Sequence, residues 1–481
     1  MEFPEVTDRL LDLEVDLELL DIEVDGVPIW ERVRFDVNRT LLQELGVVGQ
    51  AHTHADPGYG EALYKLTRNL FVKNPLLAPE ADVLVWGHER RKQLEDGLWW
   101  DIYCDPVLDR LEDGWVYLEQ EHEGGHLTPP RTGRVHYLDW INYASRFPAK
   151  LLPGSVTPAS LLFSTAERES LGRIEDGITD RFGVDVDVEG RAGERLLHRR
   201  MKLPIYRRLL RRVDPDVAVV VVSYGRETFL EACKAEGVPA AELQHGELSE
   251  YHMGYHYPNG PKRDFPDYFL SFGEFWTSTA DFPIPDDRIL PVGYPYLERR
   301  AEQFTDVTPD RQVVFLSQGE SGERLSKFAA EFAALDHDWT VVYKLHPGEY
   351  SRWRGAYSWL EDAPLEIVDG SDPPLYELFA RSRAQVGAYS TALYEGLYFD
   401  LDTFVVDVPG IECVRGLLDA DGATLVGTPE ELGGHLRSSS GGAGIDPSRF
   451  FRQGAEENVV SALEAIRDRA GVDRGIGRVQ H

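Results

Sequence analysis

Cysteine is scarce in this chain. There are three in 481 residues. Cys104, Cys233 and Cys413 stand apart from one another, without the spacings of a disulfide framework or a zinc site. A reducing compartment fits this usage. Long apolar runs are absent as well: none approaches the ~18 residues that a membrane-spanning helix needs. The first residues include Glu2, Glu5 and Asp8 in place of the basic start of a secretory leader, so a cytoplasmic protein is expected. Neither a G-x-G-x-x-G nor a Walker sequence occurs. Gly319-Glu320-Ser321-Gly322-Glu323 has the glycines without the lysine and reads as a turn. No repeat with a period of about 20 to 50 residues is visible. Positive charge is the largest deficit. Fifty Lys and Arg against 83 Asp and Glu leave a formal charge of -33 and a pI near 4.8, which excludes the basic footprint of a general nucleic-acid binder. Only nine of those cations are Lys. An acid-rich, Lys-poor surface suits a cytoplasm of multimolar salt, where a Debye length of about 3 Å at 1 M suppresses self-repulsion. A halophilic protein is the expectation.

What is present is an α/β pattern, too long for one core. A chain of 481 residues splits by default into domains of roughly 150 to 250 residues, with a cleft between them. Residues 1–75 carry helix-period apolar positions and many carboxylates, and are expected to form a helical N-terminal extension. Strands are expected at Ala81–Trp86, Trp115–Leu118, Val135–Leu138, Asp216–Ser223 and Tyr268–Ser271. The uninterrupted apolar run Val217–Val222 suits a central parallel strand covered on both faces. These strands assign 76–300 to a first doubly wound domain. After a pause at Pro295, Thr308 and Pro309 the pattern restarts, with strands expected at Val313–Ser317, Thr340–Leu345, Leu365–Val368, Ala384–Ala388 and Thr403–Val408. Residues 301–455 thus form a second such domain. The Gly- and Ser-rich stretch 429–446 reads as a loose surface loop, and 456–481 as a terminal helix crossing back to the first domain, followed by a tail.

Two segments of the second domain carry chemistry. Tyr343-Lys344-Leu345-His346-Pro347-Gly348-Glu349 and Gly387-Ala388-Tyr389-Ser390-Thr391-Ala392-Leu393-Tyr394-Glu395-Gly396 each run from a strand into a loop that opens a helix, where free N–H groups can hold phosphate. A nucleotide-activated donor is implied. Transfer from it needs an acceptor hydroxyl deprotonated as it attacks and charge stabilised on the departing phosphate. A histidine with an ordinary pKa near 6.5 suits the first task, and His245, at the end of a short strand before Gly246, is the candidate base. Glu227, beyond the central strand at Ser223-Tyr224-Gly225, is the reserve candidate. Lys344, His346 and the helix start at Ser390 suit the second task. Ser317 and Gly319, after the strand that opens the second domain, join the nucleotide-contact candidates. Tyr251, His252, Tyr255 and His256 read as a loop lining the cleft on the acceptor side. Metal ligation by His245, His252 and His256 is the weaker alternative, and no metal site is assigned. Asp214-Pro215-Asp216 has D-x-D spacing, but the proline and the strand behind it make it a strand-leading turn.

In order and spacing, Glu242-Leu243-Gln244-His245-Gly246, Phe265-Pro266-Asp267-Tyr268, Ser271-Phe272-Gly273-Glu274, His346-Pro347 and Ser390-Thr391 resemble the surface- and capsule-polysaccharide transferases related to polysialyltransferases and CDP-glycerol glycerophosphotransferases. The resemblance covers residues 216–410 well and the N-terminal third loosely. It implies the two-domain architecture called GT-B and metal-independent catalysis with a CMP-, CDP- or UDP-linked donor as substrate and no cofactor. In that family the histidine of the His-Pro pair contacts the donor nucleotide or its phosphate, which places His346 and Pro347 there. Ser390 and Thr391 would hold phosphate, Glu395 is placed to meet a ribose hydroxyl, and His245 is a base or acceptor contact. The acidic-acidic-Gly motif that supplies the base in polysialyltransferases has no clean counterpart in this chain. The expected activity is transfer of a sugar or alditol phosphate to a glycan or lipid-linked glycan. Two alternatives are a nucleotide-sugar epimerase of the same architecture and a noncatalytic glycan- or nucleotide-binding protein. Residues 191–212 hold nine Lys or Arg and one Glu among spaced leucines. They could rest on an anionic membrane surface or guide a phosphorylated acceptor, or form a helix face paired to neighbouring carboxylates.

Overall fold

The computed structural model describes residues 1, 3–48, 59–89, 91–111, 114–151, 162–319, 321–438 and 444–479. Two parallel sheets organise them. The first contains β1 (Val83–Trp86), β2 (Trp115–Glu119), β3 (Val135–Tyr137), β4 (Val217–Val221), β5 (Ala240–Leu243), β6 (Tyr268–Ser271) and β7 (Ile289–Pro291), in the order β3-β2-β1-β4-β5-β6-β7. The second contains β8 (Gln312–Leu316), β9 (Thr340–Lys344), β10 (Glu366–Val368), β11 (Ala384–Gly387), β12 (Asp402–Val406) and β13 (Thr424–Val426), in the order β10-β9-β8-β11-β12-β13. Each sheet starts in the middle, winds outward, then reverses. This is the doubly wound Rossmann-like arrangement expected from the sequence, and it leaves a crevice at the carboxyl ends of the two strands flanking the reversal, β1 and β4 in one sheet and β8 and β11 in the other. Every residue of β1, β4 and β8 is buried, as strands covered on both faces require.

The N-terminal residues do not pack alone. Helices α1 (Phe3–Asp16) and α2 (Ile29–Glu44) share a core with α3 (Thr165–Phe182) and α4 (Val188–Val213), in which Leu10, Trp30, Val33, Leu171 and Ile178 are fully buried. Glu14 and Arg34 form an ion pair inside it, and the Trp30 indole donates to Glu14 at 2.8 Å. Through Tyr206, Leu209, Leu210 and Val213, α4 covers one face of the first sheet. Five of its arginines, Arg195, Arg199, Arg200, Arg207 and Arg211, are ion-paired to Asp36, Glu231, Asp25 and Glu236, and Arg212 lies 4.0 Å from Glu80. The basic stretch is therefore largely matched within the protein. Among the described residues no helix is long and apolar enough to cross a membrane.

A further helix, α7 (Ala455–Val479), packs Val459, Ala462, Leu463 and Ile466 on the other face of the first sheet. The chain approaching it is laid tightly over that sheet's edge. Arg452 N–H donates to Phe272 O at 2.8 Å, the Trp276 indole donates to Phe450 O at 2.8 Å, and a Cβ on Gly293 (φ 101°) would sit 2.2 Å from Arg452 O. An aromatic cluster joins the two halves, with Phe272, Trp276 and Tyr294 meeting Tyr376, Tyr394 and Phe450. The stretch expected to be a loop, 429–446, begins instead with the helix Pro429–Ser438. Leu432 and Leu436, spaced one turn apart, reach the second core and override the glycines. Residues 439–443 lie outside the described set.

Candidate functional site

A cavity of about 530 Å³ lies where the carboxyl ends of β8 and β9 face the first half of the chain. Its second-sheet wall includes Ser317, Lys344, His346, Pro347 and Ser390. The opposite wall comes from the short ribbon at Lys92–Gln93 and from α5 (Pro295–Ala301), which contribute Lys92, Glu95, Tyr296 and Arg300. Tyr350 and Tyr376 also line it. A concave, partly aromatic site with few polar groups is the usual form of a small-molecule site.

Two lysines, of nine in the chain, point into this space from opposite halves. The Lys344 ammonium donates to Tyr350 Oη at 2.7 Å and to Gly370 O at 2.5 Å. Burial and the nearby Lys92 ammonium push its pKa down to about 8. Lys92 Nζ lies 5.4 Å from the Tyr296 ring centroid and 5.9 Å from that of Tyr376. Neither lysine is ion-paired to a carboxylate among the described residues, whereas Arg300 is clamped by Glu95 at 2.6 and 3.0 Å. Two cations brought together without a direct ion pair favour an anionic ligand. His346 caps the turn Pro347–Glu349. Its Nδ1 accepts from Gly348 N–H at 3.2 Å, so the neutral ring carries its proton on Nε2, as a donor. The fully buried Glu349 fixes this turn by accepting from His346 N–H at 2.9 Å and from Tyr357 Oη at 2.6 Å. Tyr343, inside β9, donates to Ser317 Oγ at 3.0 Å.

His245 stands at the carboxyl end of β5 and is held from three sides. Tyr103 Oη donates to its carbonyl at 2.7 Å, and its Nε2 and Nδ1 lie 3.4 Å from Tyr224 Oη and Tyr255 Oη. Tyr255 donates its own proton to Glu242, which also accepts from Ser223 N–H at 3.0 Å. Tyr255 can then accept only from a protonated Nδ1, which leaves Nε2 as the basic nitrogen. The following residues touch the second half. Glu247 N–H donates to Thr391 Oγ1 at 2.9 Å, next to Ser390 of the cavity wall. Glu247 itself has Oε1 without a partner among the described residues, and burial pushes its pKa up to about 8.

The predicted residues thus divide. Lys344, His346, Pro347, Ser317 and Ser390 share one cavity, and Thr391 ties its edge to the loop after His245. Glu395 does not line the cavity but supports it from behind, accepting from Tyr376 Oη at 2.8 Å. Gly319 lies off the wall, and a Cβ placed there would meet Arg352 Nη2 at 3.6 Å. Ser390 uses its hydroxyl on Ala392 N–H, capping the seven-residue helix α6 (Thr391–Leu397). Glu227 is drawn away from catalysis. It accepts from Gly225 N–H at 2.9 Å, lies 3.6 Å from Lys262, and its surrounding cations hold its pKa below the usual value despite burial. Tyr255 and His256 are buried, not cleft-lining: Tyr255 backs His245, and His256 Nδ1 accepts from Asp281 N–H at 3.1 Å. His252 stacks at 5.9 Å on Phe35 and 4.8 Å from Tyr255, and burial pushes its pKa down to about 4. Tyr251 meets Phe3 edge-on at 5.8 Å. Among the described residues no group of three or more His, Cys, Asp or Glu could hold a metal ion. Asp214 terminates α4 and Asp216 pairs with Arg467 at 3.1 Å, as a strand-leading turn would. Sequence reasoning missed Lys92, Tyr296, Tyr376 and Glu247. None of the four sits in a motif that marks it in the sequence.

No protein-family model and no curated protein matches this chain. Solved structures share its course at low identity. A UDP-GlcNAc 2-epimerase from Methanocaldococcus jannaschii, in complex with UDP-GlcNAc and UDP, is 13% identical with a TM-score of 0.43, over 80% of this chain and 99% of that one. The UDP-GlcNAc 2-epimerase of Neisseria meningitidis, bound to UDP-GlcNAc, is 13% identical with a TM-score of 0.44 over the same shares. A variant of the wall teichoic acid polymerase TagF is 10% identical with a TM-score of 0.45, over 93% of this chain and 99% of that one.

Proposed function

We propose that this protein is a metal-independent transferase. It moves a sugar or alditol phosphate from a nucleotide-activated donor to a hydroxyl of a glycan or lipid-linked glycan acceptor in surface polysaccharide synthesis. The observation that carries this reading is the convergence of Lys344, Lys92 and His346 on one cavity between the two halves. In the proposed arrangement these groups hold the donor's phosphates and stabilise the charge left on the departing nucleotide, with fixed donors in a partly desolvated site. The half-buried Tyr350 offers a face for the base or sugar, with the buried Tyr296 and Tyr376 behind the wall. His245 Nε2 takes the acceptor proton as the hydroxyl attacks, while the Tyr255–Glu242 chain steadies the imidazolium that forms.

An epimerase would use the same donor grip with carboxylates working on the sugar, and Glu95 and Asp372 of the cavity wall are its candidates. Products separate the two. CMP-, CDP- and UDP-linked donors are first screened for thermal stabilisation, because a ligand bound only to the folded state raises stability by RT ln(1 + [L]/Kd). The stabilising donor is then incubated with glycan acceptors. Free nucleotide and an extended acceptor are expected. An isomerised donor without acceptor would establish the epimerase, and binding without turnover would leave a nucleotide-binding protein.

A further inference from the structure

The crevice of the first sheet, between the carboxyl ends of β1 and β4, carries a second built site. A cavity of about 60 Å³ lies there, where Trp86 ends β1 and where helix α5′ (Glu227–Glu236) begins after β4. Around it stand Arg32, Trp86, Arg195, His198, Lys202 and Arg226. Glu227 is the carboxylate of the wall, and its charge is already matched by Lys262 at 3.6 Å.

Three observations single it out in a protein with a net charge of -33. First, two of its cations have no carboxylate partner among the described residues. Lys202 Nζ donates only to Asn142 Oδ1, at 2.8 Å. The buried Arg226 donates to the carbonyls of Trp86 and Gly87, at 2.9 and 3.0 Å, and lies over the Trp86 ring. Second, two wall residues, Trp86 (3% exposed) and Arg32 (6% exposed), each carry a buried N–H donor without a partner among the described residues: the indole Nε1 and the guanidinium Nε. An unsatisfied buried donor costs about 1 to 3 kcal/mol, so such a pair on one small cavity calls for an acceptor. Third, the cations repel one another. Burial, with Arg146 and Arg195 nearby, pushes the pKa of Lys202 down to about 7, and burial, with Lys202 nearby, takes His198 to about 4. A bound anion removes both penalties.

We propose that this crevice binds a compact oxyanion, a phosphate group either free or carried on the acceptor substrate, between Lys202, Arg226 and the unpartnered N–H groups of Trp86 and Arg32. The site does not depend on the donor reading, because it lies on the first sheet and shares no residue with the cavity of Lys92 and Lys344. An adjoining cavity of about 200 Å³, which shares Arg32, Arg195, Gly225 and Glu227 with it, extends to Tyr224. Tyr224 Oη lies 3.4 Å from His245 Nε2. A phosphate anchored here would leave the rest of an acceptor directed toward that base.

The test titrates inorganic phosphate, and separately glycerol 3-phosphate, into the full chain and follows the thermal midpoint. Parent protein, K202Q, K202R and K344Q are compared. Phosphate is expected to stabilise the parent and K344Q. Its affinity should fall about tenfold or more in K202Q, as for loss of one charge-assisted hydrogen bond, and return in K202R. W86F, which keeps an aromatic ring and removes the indole donor, must also weaken phosphate binding, and it serves if K202Q does not fold. Displacement of phosphate by glycerol 3-phosphate assigns the site to a phosphorylated substrate, whereas phosphate binding alone assigns it to the free ion. The proposal is overturned if phosphate does not stabilise the parent, or if its effect disappears in K344Q and persists in K202Q. Failure of the donor reading shows separately, as an absence of nucleotide stabilisation in the parent.

Discussion

The two sheets share one winding, yet their crevices differ in kind. In the second, the strand ends open on about 530 Å³ edged by Lys344, His346 and Ser390. In the first, the equivalent space has shrunk to about 60 Å³ among Arg226, Lys202, Arg195 and Trp86, with helix α4 and the N-terminal layer pressed over it. The same topology therefore provides a place for a ligand twice, and the covering side chains set what can enter. One crevice has room for a nucleotide-sized molecule, the other for a small anion. The base candidate His245 belongs to the first sheet but reaches the second through Glu247 and Thr391, so chemistry is expected where the halves meet.

Perturbations that act on one half and spare the other probe this contrast. The largest effect is expected from His245→Ala. Loss of a general base should lower kcat by about 10² to 10⁴, with donor affinity measured calorimetrically unchanged; a normal kcat would remove His245 from the mechanism. Lys344→Met should weaken donor binding by about 10- to 150-fold, the equivalent of about 1.5 to 3 kcal/mol for a hydrogen bond to a charged group. Acceptor KM should change little. Gly293→Ala drives a Cβ into the Arg452 carbonyl at a left-handed φ, and should lower the stability of the whole chain by about 1 to 3 kcal/mol, read from the chemical-denaturation midpoint. Equal loss of nucleotide and phosphate binding on mild heating would show that the returning helix holds both halves together.

The smallest effect is a pH dependence. The Lys344 pKa is pushed down to about 8 in the folded protein, below its unfolded value, so the lysine is charged below pH 8 and becomes neutral above it. Donor affinity should fall as pH rises through about 8. The stability cost of carrying that charge, present at lower pH, should be relieved between about pH 8 and the ordinary lysine value near 10.4. Lys344→Arg, which stays charged, should flatten the affinity profile.

The long strands were legible because a parallel strand buried on both faces leaves an uninterrupted apolar run. Val313–Ser317 was expected and Gln312–Leu316 is found; Thr340–Leu345 was expected and Thr340–Lys344 is found. Ile289–Pro291 and Thr424–Val426 escaped notice: each is a three-residue edge strand with one buried residue, too few to set an apolar run apart from its surroundings. Among site residues, those following a strand inside a distinctive motif, such as Lys344-Leu345-His346-Pro347, were readable. Lys92 was not, because its place opposite Lys344 is set by a two-residue ribbon and the docking of two halves.

By itself the sequence determined that this chain is acidic, α/β and doubly wound twice over, since charge and hydrophobic period are local properties that survive in a linear reading. Only tertiary structure decided that Tyr255 stands behind His245, that Glu227 is spent on Lys262, and that two lysines 252 positions apart share one cavity. Those outcomes depend on which desolvated polar groups meet across separate elements, and that pairing has no signature in the order of residues along the chain.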